Sequence, residues 1–400
     1  MRKKNVDARP ATELKRERPV SPVVRVTRKI SERVRLLIAV RSGGRCEFDG
    51  CNRYLFEHPL TLRSGNFSQS AHIVAFSPRG PRGATAISLR KLNQPSNLML
   101  LCADCHRLID TRPGEFSVKI LRKYKRQHEE RIRFVTDLGP DRKTTVVKLT
   151  SRIGGQPVSI PMAQIIRAIS PLYPTDRKGW IIDLGAIEGE QRAFFDAAAD
   201  TVRSRIRRLF DPGMDGSETR HISLFALAPI PLLVLAGREI GNKVPLALYQ
   251  RHRDTESWVW KQGGAPTEYD VRVVRTGKDP LRVALVVSLS GKIRESDLPT
   301  EIDEQFTIYE ITPAGRNPSP DFLTLREELL GFKAAYLECL TSITRDHPGL
   351  DTIHLFPACP APIAVLCGRE LHPKVHPALL VYDNDKRQGG FLPILKVNEP

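Results

Sequence analysis

The sequence lacks an apolar run long enough to cross a membrane. The longest apolar stretch, Ile222 to Gly237, is interrupted by Pro229 and Pro231 and is shorter than the roughly 20 residues of a spanning helix. The basic beginning of the chain, MRKKNVDARPATELKRERP, contains no apolar segment of the kind that a secretory signal has. We therefore expect a cytoplasmic protein with no membrane partner, in which disulfides do not form.

Aromatic residues are few, at 6% of the chain, whereas 40% of the residues are hydrophobic and 27% are charged. This balance is typical of globular proteins and excludes a wholly disordered or fibrous chain. At roughly 100–200 residues per domain, a chain of 400 residues has room for two or three domains.

Acidic residues are scarce only in the first third of the chain. Residues 1–140 contain 29 Lys and Arg against 13 Asp and Glu, a net charge of +16, and residues 141–400 contain 33 against 32, a net charge of +1. A basic surplus confined to one region favours binding to the phosphate backbone of a nucleic acid. A solvated basic tail is the alternative, because residues 1–29 alone hold ten basic and three acidic side chains.

Proline, glycine and apolar periodicity predict the domain boundaries. Residues 1–29 show no sustained apolar period and are interpreted as a flexible basic arm. A first domain is expected over 30–136, with a helix at each end. The segment 137–150, which begins DLGPDRK, is interpreted as a linker to a second domain over 151–400.

The second region contains an internal repeat. Residues 222–244 align without gaps to 353–375, at an offset of 131, with twelve identities in 23 positions. Each copy has a short apolar strand, a proline-containing turn and an apolar helix that ends in Gly-Arg-Glu. Because apolar strands alternate with helices, we expect parallel sheets in two similar α/β halves, at about 151–270 and 271–400.

Four of the seven cysteines form two close pairs, Cys46-x4-Cys51 and Cys102-x2-Cys105. In a reducing compartment such pairs favour a structural zinc site over disulfides. Four unrelated thiols are the alternative. The remaining Cys339, Cys359 and Cys367 lie in apolar contexts typical of buried residues.

Between and beside the cysteines lie His72, Asn97 and His106. Phosphodiester hydrolysis needs a base that generates the attacking hydroxide and a divalent cation that stabilises the charge of the transition state. A histidine suits either task, as a base near neutral pH or as a metal ligand. A surface or packing role is the alternative for each histidine taken alone.

The pattern C-x4-C, AHI and NLMLLCADCH resembles the HNH endonuclease family of ββα-metal nucleases, in its four-cysteine subgroup, over about residues 30–115. The resemblance implies that His72 is the general base, that Asn97 orients the base and its loop, and that His106 binds a catalytic Mg²⁺ or Mn²⁺. Many members have a further metal ligand immediately before the base, where this chain has Ala71. Ser70, Asp104 or a water molecule are the candidates for this missing metal ligand.

The order of parts, with VVSLSG and LFPACPAPIAVLCGRE in the second region, resembles the HNH–SAVED effectors of bacterial CBASS antiphage systems over about residues 30–396. The resemblance implies a duplicated Rossmann-like (CARF-like) α/β SAVED domain that binds a cyclic di- or trinucleotide made by a cGAS-like nucleotidyltransferase. It further implies self-association, as a dimer or tetramer, and unspecific cleavage of double-stranded DNA.

Ligands of α/β sheets collect at the carboxyl ends of strands. Two such segments, 288–292 and 356–360, are rich in small residues. Trp258 offers a ring for stacking on a base or is a core residue, and Arg369 is a ligand contact or a structural ion-pair partner. The candidate ligand-binding residues are Ser288, Ser290, Gly291, Lys292, Trp258, Pro357 and Arg369.

Two other functions are compatible with these motifs. A constitutive HNH restriction endonuclease would read DNA with its second region, although the near-neutral charge of that region disfavours this. A zinc-stabilised DNA-binding or sensor module without activity is the non-enzymatic alternative, which Ala71 leaves open.

Overall fold

The computed structural model describes residues 27–399 with the exception of 84, 86, 154, 190, 212–218 and 386–388. The chain divides into two compact units between Asp137 and Leu138. Most of the predicted basic arm, residues 1–26, lies outside the described residues. Within the described ranges, every helix is too short or too polar to cross a membrane.

The first unit is built from two short strands and three helices. Its elements are, in chain order, α1 (Glu32–Arg41), β1 (Gln69–His72), β2 (Leu98–Leu101), α2 (Ala103–Thr111) and α3 (Val118–Thr136). Strands β1 and β2 pair antiparallel, with Gln69 opposite Leu101 and His72 opposite Leu98. Because α2 follows β2 directly, these three elements form the ββα unit that the motifs predict.

Helices α1 and α3 of the first unit both begin at serine caps. The Ser31 and Ser117 side chains accept hydrogen bonds from main-chain N–H groups in the first turns of α1 and α3. Gly43 and Gly44 have φ values of 61° and 68°, a conformation that favours glycine, and they follow the end of α1. The two helices predicted at the ends of the first domain are therefore present.

The first sheet of the second unit is parallel throughout. Its elements, with the helices between them, are β3 (Lys143–Thr150), α4 (Met162–Ile169), β4 (Tyr173–Pro174), β5 (Trp180–Asp183), α5 (Gln191–Leu209), β6 (Ile222–Leu227), α6 (Ile230–Ile240) and β7 (Leu246–Tyr249). Strand β3 pairs with β4, β5 and β6, and β6 also pairs with β7.

Strand β3 differs from the linker predicted over 137–150. Only the first part of the predicted linker, with a 3-10 turn over Pro140–Arg142, connects the units. The rest, Lys143–Thr150, is strand β3, which pairs with three other strands. The run TTVVKLT is rich in β-branched residues, and Val146, Val147 and Leu149 are buried in the core. The second unit therefore begins before residue 151.

The second sheet has six strands in the order β13-β12-β11-β9-β10-β8. Its elements are β8 (Tyr269–Arg275), β9 (Val283–Ser288), β10 (Thr307–Pro313), α7 (Glu327–Asp346), β11 (Thr352–Ala358), α8 (Ala361–Arg369), β12 (Ala378–Asp385) and β13 (Gly390–Val397). The four central strands are parallel, as predicted, but the edge strands β8 and β13 pair antiparallel with their neighbours. Strand β13 follows β12 as a hairpin, which needs no crossover helix.

The internal repeat forms equivalent elements in the two sheets. The copies supply β6 with α6 and β11 with α8, and the two helices pack against each other. One continuous core contains buried residues of both sheets and both helices. The overall α/β architecture with a duplicated second unit is thus confirmed.

Candidate active site and metal centre

The four paired cysteines converge in the first unit. The Sγ atoms of Cys46, Cys51, Cys102 and Cys105 all lie within 4.8 Å of one another, and Cys102 Sγ is 3.9 Å from Cys46 Sγ and 4.0 Å from Cys51 Sγ. Ligands about 2.3 Å from a tetrahedral zinc ion are separated by nearly this distance. The cluster is therefore a fitting metal site, and its sulfur donors suit Zn²⁺.

Local backbone geometry positions these thiols. Cys46 and Cys51 flank a tight turn in which Gly50 has a φ of 80° and the Cys51 N–H donates to the Phe48 carbonyl. Cys102 caps α2, because its Sγ accepts from the Cys105 N–H at 3.4 Å. Burial raises the pKa of the Cys46 thiol to about 12, so ionisation of this group requires a stabilising positive charge.

His106 lies in the first turn of α2, immediately after Cys105. Its Nδ1 lies 2.6 Å from Gln69 Oε1, an atom that only accepts, so Nδ1 donates and Nε2 is left with a lone pair. A second interaction of this kind commonly orients a metal-binding imidazole. His106 is therefore prepared to bind a cation through Nε2.

Asp110 lies one helical turn after His106. Its Oδ2 is 3.4 Å from His106 Nε2, and the side chain is 42% exposed. A divalent cation about 2.1 Å from each of these atoms fits between them. The pair thus offers a nitrogen and an oxygen ligand, whereas Ala71 is buried and Asp104 is bound to Arg53 at 3.1 Å.

His72 ends β1, on the strand next to the one that leads into α2. Its Nε2 lies 3.0 Å from Asn93 Oδ1, and the Asn93 amide nitrogen donates to the Thr27 carbonyl at 2.7 Å. Since Asn93 Oδ1 accepts, His72 Nε2 carries the proton and Nδ1 is left unprotonated. Nδ1 is therefore the atom of His72 that suits a base.

Asn97 is buried and holds the loop that follows His72. Its Oδ1 accepts from the Val74 N–H, and its Nδ2 donates to the carbonyls of Val74 and Leu92, all at 3.0 Å. All of these bonds are to main-chain groups, so Asn97 holds the loop, whereas the side-chain contact to the base that was expected of Asn97 is made by Asn93.

Arg82 joins the strand that bears His72 to the helix that bears His106. Its side chain, only 4% exposed, donates to the carbonyls of Ile73 and Ile109 at 2.9 and 2.6 Å and to Asp110 Oδ1 at 2.9 Å. Sequence reasoning missed Arg82 together with Gln69, Asn93 and Asp110. Only the i,i+4 spacing of His106 and Asp110 was a signal visible in the sequence.

In the second unit, part of the predicted ligand set lies together. Ser288 ends β9 opposite Ala358 of β11, and the Ser290 N–H donates to the Ala358 carbonyl at 2.7 Å. Gly291 follows, and Pro357 lies beside Val287 in the same pair of strands. These residues converge at the carboxyl ends of two parallel strands, although Ser288 and Pro357 are buried.

The three larger predicted side chains have other partners. Lys292 Nζ lies 2.5 Å from Glu310 Oε1. Trp258 is 2% exposed and packs edge-on against Phe225 in the core, which corrects its interpretation as a stacking platform. Arg369 ends α8 and donates to the Val244 carbonyl at 2.9 Å. This contact is a structural one within the second unit.

A further pocket, of about 460 Å³, lies at the carboxyl ends of β3, β5 and β6. It is lined by Ser151 and Arg152 after β3, by Leu184 and Glu188 after β5 and by Pro229 before α6, so one basic and one acidic side chain face it. The exposed Arg152 places a guanidinium at this edge. Sequence reasoning missed the pocket because it treated β3 as a linker.

Two family models match the chain. The model described as HNH endonuclease matches residues 46–113, which contain the four cysteines, His72, Asn97 and His106. The model described as SMODS-associated and fused to various effectors sensor domain, abbreviated SAVED, matches residues 202–397. Among curated protein sequences, none matches the chain.

The solved structures that the chain matches include two receptors that contain SAVED/CARF domains. Acinetobacter baumannii Cap4, solved with the cyclic trinucleotide 2'3'3'-cAAA, is 13% identical with a TM-score of 0.42, covering 74% of this chain and 60% of that one. Moraxella osloensis Cap4 is 12% identical with a TM-score of 0.38, covering 79% and 62%. The chain thus spans about three fifths of the length of these proteins. One chain therefore carries an HNH endonuclease region followed by a SAVED sensor region, which is the domain order of an HNH–SAVED effector.

Proposed function

We propose that this protein is a DNA endonuclease of CBASS antiphage defence that a cyclic oligonucleotide activates. Its substrate is double-stranded DNA, cleaved without strong sequence preference in the bacterial cytoplasm. The observation that supports the proposal most directly is the ββα unit in which a base-competent His72 and the His106–Asp110 pair are joined through Arg82.

The nuclease residues divide the chemistry among them. His72 Nδ1 takes the proton of the attacking water, while Asn93 holds the ring through Nε2. Asn97 keeps the following loop in place, and His106 and Asp110 would hold the divalent cation. When bound, Mg²⁺ or Mn²⁺ would stabilise the charge that develops on the scissile phosphate and the leaving oxygen.

The four-cysteine cluster stabilises the part of α2 that carries His106. Cys102 and Cys105 lie directly before His106, so Zn²⁺ held by the thiolates would fix the first turn of α2. Its role would be structural, because the four thiolates would supply all the ligands that Zn²⁺ takes in a structural site.

The activating ligand binds at the carboxyl edges of the two sheets of the SAVED domain. We assign it to the pocket at Arg152 in the first sheet and to Ser290, Gly291 and Lys292 after β9 in the second. Arg152 supplies positive charge for a phosphate, and the small residues admit a close approach to the backbone. A nucleotide that contacts two protomers stabilises their assembly by mass action, which favours self-association on activation.

Plasmid cleavage in Mg²⁺, with and without a panel of cyclic di- and trinucleotides, tests this function. We expect a smear of fragments only when one of the nucleotides is present, and none with His72→Ala. The control His58→Ala removes a histidine whose Nδ1 accepts loop N–H groups at 3.1 and 3.3 Å, and it should remain active. Discrete bands without nucleotide would indicate a restriction enzyme, and DNA binding without cleavage an inactive module.

Metal binding separates the role of Asp110 from that of Asp104 on the same helix. Asp110→Asn should weaken Mn²⁺ binding, measured by electron paramagnetic resonance on the zinc-loaded protein, by at least tenfold. Asp104→Asn, which removes the partner of Arg53, is the matched control and should leave Mn²⁺ affinity unchanged. Equal affinities in all three proteins would contradict the assignment of Asp110.

A further inference from the structure

A groove of about 650 Å³ lies between the end of α1 and the outer face of α3 in the first unit. Five basic and two acidic side chains line it, together with Ser96. The basic residues are Arg41, Arg122, Lys125, Arg126 and Arg133. The groove lies outside the set of residues that the cleavage mechanism uses.

Of the two acidic side chains in the groove, Glu129 is paired within the protein and Glu130 is exposed. Glu129 binds Lys125 at 2.7 Å, and Lys125 also lies 3.5 Å from the buried Glu47. Among the described residues, by contrast, Arg41, Arg122 and Arg126 make no ion pair, and all three are exposed. Unpaired arginines presented on one surface form a binding site for an anion rather than a structural network.

Arginines of the groove follow one another along α3. Arg122 and Arg126 lie one turn apart, and Arg133, which also lies 3.8 Å from Asp137, is within about 17 Å of Arg122 at 1.5 Å per residue. This length corresponds to about five steps of duplex DNA at 3.4 Å each. Planar guanidinium groups bind phosphate oxygens in pairs, which suits a phosphodiester backbone.

One lining residue of the groove adjoins a residue that supports the catalytic loop. Ser96 belongs to the 3-10 turn Pro95–Asn97, and Asn97 holds the loop after His72.

We infer that the α1–α3 groove binds the phosphate backbone of the DNA substrate and positions the duplex for cleavage. This inference rests on the proposed function and adds a docking surface to it. The occupant is a nucleic acid backbone, recognised by charge and without base contacts.

Fluorescence anisotropy with a labelled 20-bp duplex tests the groove. The full-length chain with His72→Ala is used without added Mg²⁺, so that binding is measured in the absence of cleavage. Arg122→Gln with Arg126→Gln is the test variant. Lys119→Gln with Lys123→Gln is the matched control, because these exposed lysines lie on the same helix at the same spacing but outside the groove.

We expect the arginine variant to bind DNA at least tenfold more weakly in about 100 mM salt. The slope of log affinity against log salt should fall by about 1.8, which is the value for two lost phosphate contacts. The lysine variant has the same net charge, so it should lose much less affinity. Zinc content and thermal unfolding of both variants establish that the domain is intact.

Equal losses in the two variants would show general electrostatic attraction and overturn the groove as a docking surface. Unchanged binding in the arginine variant, or no binding by the parent protein, would overturn it as well. These outcomes are distinguishable from failure of the proposed function, which is a cleavage result: full activity of His72→Ala, or cleavage independent of nucleotide, refutes that function while leaving the binding data valid.

Discussion

Gly237 of α6 and Gly368 of α8 lie at equivalent places where the two helices cross, 131 residues apart in the chain. A Cβ on Gly237 would lie 1.9 Å from the Val365 carbonyl oxygen, and a Cβ on Gly368 would lie 1.8 Å from that of Val234. Val234 and Val365 are themselves separated by 131 residues. The repeat therefore forms a symmetric helix crossing at which only hydrogen fits.

Gly237→Ala and Gly368→Ala should each destabilise the second unit by about 1–3 kcal/mol, because the added methyl group forces the helices apart. The double variant should lose less free energy of unfolding than the sum of the two single losses, since the first methyl group already separates the helices at their crossing. Urea unfolding measures these free energies. Gly291→Ala is the control, because no heavy atom lies within 4 Å of the place that its methyl group would occupy, and a comparable loss there would refute the packing argument.

Cys102→Ser should release the metal and destabilise the first unit, because Cys102 both belongs to the thiol cluster and caps α2. The second unit should keep its unfolding transition. Elemental analysis and calorimetry measure the two effects. Cys359→Ala, in the core of the second unit, should retain the metal, and full zinc content in Cys102→Ser would exclude the proposed ligand set.

Arg82→Lys should reduce the cleavage rate by about 10- to 100-fold while DNA affinity changes little. A lysine cannot maintain three bonds to Ile73, Ile109 and Asp110, so the base and the metal ligands lose their fixed separation. Single-turnover rates and binding are measured separately on the activated protein. The exposed Arg79 supplies the control Arg79→Lys, and parallel losses of rate and zinc content would indicate unfolding instead.

The second unit should become less stable as the pH falls below the ordinary histidine pKa of 6.5. Burial, assisted by nearby charges, lowers the pKa of His221, His252, His354 and His376. The unfolded chain therefore binds more protons than the folded one in this range, so the free energy of unfolding decreases with falling pH. Asp383, whose pKa burial raises, acts in the opposite direction but is a single group.

Calorimetry at pH 7.5 and pH 5.5 checks this prediction through the unfolding temperature of the second unit. His354→Asn should reduce the difference between the two pH values, because it removes one of the buried groups. An unfolding temperature that is equal or higher at pH 5.5 would contradict it.

Patterns that depend on neighbours in the chain predicted much of the fold. The repeat identified the matched strands and helices of the second unit, and apolar spacing identified α1 and α3. Close pairs of cysteines likewise predicted one thiol cluster, because tetrahedral metal binding restricts the spacing of its ligands.

Features that depend on contacts between residues far apart in the chain could not be predicted from the sequence. Nothing local shows that β3 pairs with three strands, because prolines and glycines precede and follow it and Lys148 interrupts its apolar residues. The contacts of Gln69, Asn93 and Arg82 likewise join segments 9 to 66 residues apart. For Trp258, the sequence was compatible with an exposed ring that stacks on a base or with a core residue, and tertiary packing makes it a core residue.

The pairing registers make the two sheets comparable residue by residue. Thr150 pairs with Leu227 in the first sheet and Ser288 pairs with Ala358 in the second, and Leu227 and Ala358 are again 131 residues apart. Arg152 and Ser290, each two residues further on, are therefore counterparts. A sensor made of two identical chains presents the same group twice and reads a ligand equally in either orientation. Because the two halves are fused in one chain, their residues at these positions can differ, so the two halves can contact different sides of an asymmetric ligand.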